Sequence, residues 1–250
     1  MIPYTPHPIL FSLGPVDIRF YSLAYIAGFL LVYAFLRKRI GKDKAEDALI
    51  WLVLATIIGG RLGYFFFYSI STFWTDPLEV LLIWHGGMSF HGALIMLIAA
   101  FWWWCKKRGE AFWSLADVLV LPAAIALGLG RIANFLNGEL LGPATNVPWC
   151  VQLPQALSCV HPSPLYEAMY SFAIAGILYW QSKKKHEAGF MFWLFVFLYG
   201  VLRTIVNIWR DEPRILLGLS EGQLLSLIMA LIAAIVISRK YKKSVSRVLA

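Results

Sequence analysis

The sequence predicts an all-α, polytopic membrane protein, and three observations carry that expectation. Of the 250 residues, 60% are hydrophobic and only 14% are charged, whereas soluble domains have roughly 45–50% apolar and about 25% charged residues. The apolar residues run continuously instead of alternating, which disfavours an outer-membrane barrel. The cations gather in short clusters, each placed just after an apolar run.

A helix needs about 20 apolar residues to cross about 30 Å of hydrocarbon. Seven stretches qualify, at 18–36, 48–70, 88–105, 115–137, 164–182, 189–209 and 219–238. Residues before the first carry Pro3, Pro6, Pro8 and Pro15 and no basic n-region. They predict an irregular or interfacial outer segment rather than a cleaved signal peptide. The basic clusters Arg37–Lys44, Lys106–Arg108, Lys183–Lys185 and Arg239–Arg247 follow the first, third, fifth and seventh spans. Cations favour the cytoplasmic side, so the N-terminus is expected outside and the C-terminus in the cytoplasm. The longest non-apolar stretch, 138–163, is too short for a separate domain, so residues 1–250 are expected to form one integral-membrane domain. The net charge of +8 then belongs beside a lipid bilayer and does not point to nucleic acid.

The three cysteines divide. Cys105, at an inner span end, reads as a small apolar group. Cys150 and Cys159 share the outer loop after span four. They form a disulfide if that side is oxidising, or stay as two free thiols.

Arg61, Arg131 and Arg203 lie inside spans. An arginine near the bilayer centre costs roughly 2.5–3.5 kcal/mol on insertion scales, so each needs a reason. Counting about 1.5 Å per residue from the cytoplasmic end of each span puts them about 20–24 Å up. Tyr21, His91 and Glu167 fall at the same level. One explanation is a buried network in which Arg131 and Arg203 pair with Glu139 and Glu167. The other is an anion site at phospholipid phosphate depth, because guanidinium grips phosphate through two parallel N–H bonds.

The motifs around these residues are Trp84-His85-Gly86-Gly87-Met88-Ser89-Phe90-His91-Gly92, Gly128-Leu129-Gly130-Arg131-Ile132-Ala133-Asn134-Phe135-Leu136-Asn137-Gly138-Glu139, His161-Pro162-Ser163-Pro164-Leu165-Tyr166-Glu167 and Tyr199-Gly200-Val201-Leu202-Arg203. The paired glycines suit a turn or re-entrant start to span three. His91 would titrate near neutral pH, or would serve as a helix-start cap. Arg131 and Asn134 share a helix face. His161 reads as an exposed loop residue.

With Tyr21 and Gly60-Arg61-Leu62-Gly63-Tyr64, these segments resemble, in order and over nearly the whole chain, the prolipoprotein diacylglyceryl transferases of the bacterial inner membrane. The resemblance implies that the diacylglyceryl group of phosphatidylglycerol moves to the lipobox cysteine thiol of a preprolipoprotein, and glycerol phosphate leaves. It places Arg131 at the phosphatidylglycerol headgroup, with Asn134, Glu139, Arg61 and Tyr199 also on the substrate side. It puts His91, Arg203 and Tyr21 in catalysis. This sequence departs from the family at Asn207, where members often carry Glu, and at Ser171-Phe172, where many have Glu-Gly.

His91 as general base, or a cation that lowers the thiol pKa, would activate the sulfur. Arg131 and Arg203 would neutralise the phosphate without metal or cofactor. A transporter or lipid-translocating protein is the competing class, but it should show repeated halves with matching broken helices. Only a faint Gly-Arg echo is present. A seven-helix retinal sensor would need a lysine within 219–238, and a metalloprotease a motif such as HExxH; neither occurs.

Overall fold

The computed structural model describes residues 2–14, 16–154 and 157–249; Pro15 lies outside the described residues. Helix α1 (Phe20–Ile40) ends in Arg37, Lys38 and Arg39. Helix α2 (Lys42–Tyr68) starts six residues before the apolar run that announced it, because its first turn is the charged segment holding Asp43, a favourable place for an anion beside a helix N-terminus. A six-residue helix α3 (Ile70–Thr75) and two 3-10 turns (Pro77–Leu81 and Ile83–His85) lead to α4 (Phe90–Arg108). The Ser89 side chain caps α4 by accepting from the Gly92 N–H at 3.3 Å, and Gly109 closes it in a left-handed conformation. Next come α5 (Phe112–Leu136), α6 (Ser163–Gln181) with Pro164 in its first turn, and α7 (Phe190–Val206). Helix α8 (Glu221–Lys240) opens with a reciprocal cap between Ser220 and Gln223, and α9 (Lys242–Leu249) follows.

The chain is mostly helical, and five of its helices are long and apolar enough to cross a membrane: Phe20–Ile40, Lys42–Tyr68, Phe112–Leu136, Phe190–Trp209 and Glu221–Lys240. The two remaining stretches read as spans form helices of 19 residues, α4 and α6, that are not among these five. Lysines and arginine close α4. Ser163, Glu167, Ser171 and Gln181 punctuate α6, and all four are buried.

Three small sheets add to the helices. Strand β1 (Ile2–Pro3) runs parallel to β4 (Val151–Gln152). Strands β2 (Ile9–Leu13) and β3 (Val16–Arg19) form an antiparallel hairpin where the sequence suggested irregular structure. Strands β5 (Arg214–Leu216) and β6 (Leu219–Ser220) form another. Such short runs, broken by Pro and Gly, carry too few alternations to be read in advance.

The described chain divides into two compact units, Tyr33–Leu115 and Met1–Val32 with Ala116–Ala250. In the first, Ala45, Ala48, Leu52, Ala55 and Gly59 line one face of α2 and are buried. This small-residue stripe lets α4 approach so closely that a Cβ on Gly59 would stand 2.6 Å from the Gly92 carbonyl oxygen. In the second unit α7 packs on α8, and a Cβ on Gly200 would stand 2.7 Å from the Ser226 carbonyl oxygen. The Gln223 amide donates to the Thr204 carbonyl at 3.0 Å. The Asp117 carboxylate of α5 accepts the Gly189 and Phe192 N–H groups at 2.7 and 2.8 Å, which satisfies the start of α7.

Candidate active site

In the larger unit, polar groups collect around one carboxylate. Glu167 lies in α6, one turn past Ser163, with 2% of its side chain exposed. Its Oε2 is 2.9 Å from Arg131 Nε and 3.5 Å from Arg203 Nη1; its Oε1 is 2.7 Å from Arg210 Nη1. An unpaired carboxylate in such a place would be costly, so the arginines are what permit its burial.

The cations have unequal access. Arg210 has 9% of its side chain exposed, whereas Arg131 and Arg203 keep 18% and 20%. Arg210 Nε also meets Glu212 Oε1 at 2.9 Å. Burial would raise the Glu212 carboxyl, but the hydrogen bond from Asn207 and the charge of Arg210 outweigh it and hold the group below its ordinary range. Three guanidinium groups face two carboxylates in ion contact. Arg131 and Arg203 keep part of their side chains accessible, where an anion could meet them.

A second string of polar groups leads away from Arg131. Its Nη1 donates to Asn134 Oδ1 at 3.4 Å, and Asn134 Nδ2 donates to Glu139 Oε2 at 3.0 Å. Asn137 Nδ2 reaches Glu139 Oε1 at 3.1 Å. The chain must reverse after α5 to bring Glu139 back, and Gly138 does this with φ of 72°. Among the described residues Glu139 accepts amide hydrogen bonds and makes no arginine pair. The carboxylate shared by Arg131 and Arg203 is Glu167 alone.

Tyr199, one turn before Arg203, accepts from Arg203 Nη1 at 3.3 Å. Asn207 is 1% exposed; its amide donates to Glu212 Oε2 at 2.8 Å and to Ser220 Oγ at 2.6 Å. Asn207 is therefore tied to a carboxylate five residues further on. Tyr21, in the first turn of α1, is 37% exposed with its ring 5.2 Å from Tyr25. It is not hydrogen-bonded to the Glu167 cluster.

The loop above this cluster is stapled. Cys150 and Cys159 form a disulfide with 5.6 Å between their Cα atoms. Val151 and Val160 exchange backbone hydrogen bonds at 3.0 and 2.9 Å. His161, expected to be exposed, is half-buried. Tyr166 Oη accepts from Trp149 Nε1 at 2.7 Å and lies 3.1 Å from His161 Nδ1. The Tyr166 hydroxyl hydrogen is then free to point at Nδ1, which suits a neutral imidazole, and burial lowers the pKa of this ring.

His91 and Arg61 belong to the smaller unit. His91 is exposed in the first turn of α4, its ring 5.7 Å from that of Phe90. Arg61 is 3% exposed. Its guanidinium donates to the carbonyl oxygens of Glu79, Val80, Leu82, Gly86 and Gly87 and to the Glu79 carboxylate. Sequence reasoning put Arg61 on the substrate side; the structure turns it into the polypeptide. Sequence reasoning singled out Arg61, Arg131 and Arg203 and passed over Arg210, which lies beyond the end of α7 at Val206 and so carried no helix-face signal.

Comparison with known proteins identifies the family. Residues 8–239 match the family model for prolipoprotein diacylglyceryl transferase. The chain is 39% identical over 254 residues to the phosphatidylglycerol–prolipoprotein diacylglyceryl transferase of Geobacter sulfurreducens, covering 94% of this chain and 97% of the relative. It is 41% identical over 242 residues to that of Azospirillum brasilense, with 90% of each chain covered. It is 41% identical over 238 residues to that of Desulfotalea psychrophila, with 88% of each covered. On the family match and these identities together, the chain belongs to the prolipoprotein diacylglyceryl transferase family.

Proposed function

We propose that this transferase moves the diacylglyceryl group of phosphatidylglycerol to the lipobox cysteine thiol of a preprolipoprotein, the first step of bacterial lipoprotein maturation. The observation that supports the chemistry is the pair of guanidinium groups, Arg131 and Arg203, that share the buried Glu167 and are still partly accessible.

The reacting sulfur is a thiol with pKa near 8.5, so ionising it at pH 7 costs about 2 kcal/mol. His91 takes that proton as general base. The thiolate attacks the glycerol carbon that bears the phosphate ester. A carbon–sulfur bond forms, the carbon–oxygen bond breaks, and glycerol phosphate departs with the oxygen and its electron pair. Arg131 grips the phosphate, and Arg203 balances the charge that grows on the leaving oxygen. Asn134 and Glu139 orient Arg131, Tyr199 orients Arg203, and Tyr21 takes part in catalysis.

The same reading places the protein in the bacterial inner membrane as one transferase domain over residues 1–250, since the family match runs through residues 8–239. It has seven spans, with α4 and α6 added to the five helices long and apolar enough to cross a membrane. Each has 19 residues, or about 28 Å at 1.5 Å per residue. The N-terminus is outside and the C-terminus cytoplasmic. Basic residues end α1, α4 and α8. The Cys150–Cys159 disulfide lies in a loop assigned to the opposite side, where an oxidising environment keeps such bonds.

The test is an assay of the purified protein with labelled phosphatidylglycerol and a peptide containing the lipobox cysteine. Transfer of label to the peptide with release of glycerol phosphate is expected. No thioether product with an intact protein would refute the activity.

A further inference from the structure

We infer that Arg61 is a positioning residue, which fixes the start of α4, and with it His91, by gripping the backbone of the segment before it. A guanidinium has five N–H donors in a rigid fork and no acceptor. Here Nε donates to the Val80 carbonyl at 3.2 Å, Nη1 to Gly86 and to Gly87 at 3.3 Å, and Nη2 to Glu79 and to Leu82 at 2.9 Å. Every nitrogen is engaged with main-chain oxygen. Among the described residues its only ion pair is with Glu79 at 3.3 Å, and that carboxylate is also 3.0 Å from His85 Nδ1. The Phe65 ring closes one face of the guanidinium at 4.8 Å. Little of Arg61 is left to meet a phosphate.

What it holds is a segment with little other support. Between α2 and α4 the chain makes one short helix and two 3-10 turns, in which none of the residues is buried. Trp74, Leu78, Leu81 and Trp84 are between 69% and 76% exposed. The segment closes through Gly86 and Gly87, both at positive φ of 84° and 75°. A Cβ on Gly87 would strike the Tyr64 ring, 2.6 Å away. Just beyond, the Ser89 N–H donates to the Gly60 carbonyl at 2.8 Å, next to Arg61 itself. Residues 86, 87 and 89 are thus all tied to residues 60 and 61, and His91 follows two positions later.

The assignment rests on His91 as the base, and it differs from headgroup binding in what should change. Lysine keeps the charge but has three donors and no fork. In membrane-reconstituted protein, Arg61→Lys should lower kcat at least tenfold and leave KM for phosphatidylglycerol within about twofold. Gly87→Ala, which disturbs the same turn without altering charge, should reproduce that split. It decides the matter by the same readings if Arg61→Lys does not accumulate. In a Leu81→Cys background the thiol should be labelled faster by maleimide when Arg61→Lys is added, a reading of segment order that needs no activity. A raised KM with unchanged kcat would put Arg61 on the lipid, and unchanged kcat and labelling would show that the grip positions nothing. If His91→Gln keeps full turnover while labelling still responds to Arg61→Lys, the base assignment fails and the clamp on the segment stands.

Discussion

Arg210 donates to Glu167 at 2.7 Å across 43 positions of sequence, on the oxygen that Arg131 and Arg203 leave free. Glu167 thereby serves as the shared counter-ion for three cations that would otherwise repel one another. Without Arg210, one carboxylate would be divided between two guanidinium groups that must also receive a lipid phosphate. With Arg210 attached to both Glu167 and Glu212, Glu167 is held at two oxygens, and the accessible pair keeps its place.

Replacing Glu167 with Gln should be severe. It leaves three arginines without their common partner, and breaking one side of a buried ion pair costs roughly 3–5 kcal/mol. The expected outcome is a lower melting temperature in detergent and loss of transfer. A melting curve like wild type would contradict the shared-counter-ion account.

Arg131→Lys should raise KM for phosphatidylglycerol, on the order of tenfold, because the forked contact to phosphate is lost while the charge stays. Steady-state kinetics over a range of lipid mole fraction in mixed micelles would measure it. A change confined to kcat would move Arg131 from headgroup binding to another role.

His91→Gln should reduce turnover about a hundredfold or more, the usual range for a general base, with little effect on lipid binding. Single-turnover rates together with phosphatidylglycerol binding would separate the two. Equal turnover in wild type and variant rejects the assignment.

Reduction of the Cys150–Cys159 bond, or its replacement by two serines, should destabilise the loop above the Glu167 cluster. The bond closes a span of 9 residues, worth about 2.5 kcal/mol by the chain-entropy estimate. Thermal unfolding with and without dithiothreitol should show the difference, and only the disulfide-bearing protein should respond.

Acidification should lower the stability of the protein in two stages. Burial lowers the His161 pKa in the folded protein, so the unfolded chain takes up a proton first, near pH 6.5, and stability falls as pH drops below that point. The Glu212 carboxyl is also depressed on folding. Its contribution is present above about pH 4.3 and lost below it. Melting temperatures from pH 8 to 4 should fall, and His161→Phe should flatten the upper part of the curve.

The sequence alone determined the helical class, five helices long and apolar enough to cross a membrane, the placement of basic clusters at helix ends and the identity of Arg131, Arg203 and Glu167 as residues needing explanation. These follow from local composition: an apolar run of sufficient length must satisfy its own backbone in lipid, and a charge within it is costly wherever it points. The family was legible for the same reason, through short motifs that keep their spacing. Only the tertiary structure decided which partner each charge would take. Glu139 turned to amides, Glu167 gathered three arginines, Arg210 came in from beyond the end of α7, and Asn207 donates to Glu212. Arg61, inside a span like Arg131, faces backbone carbonyls. Such choices depend on distances between residues far apart in sequence. The free energy of burying a charge is set by whatever the fold brings within a few ångströms of it.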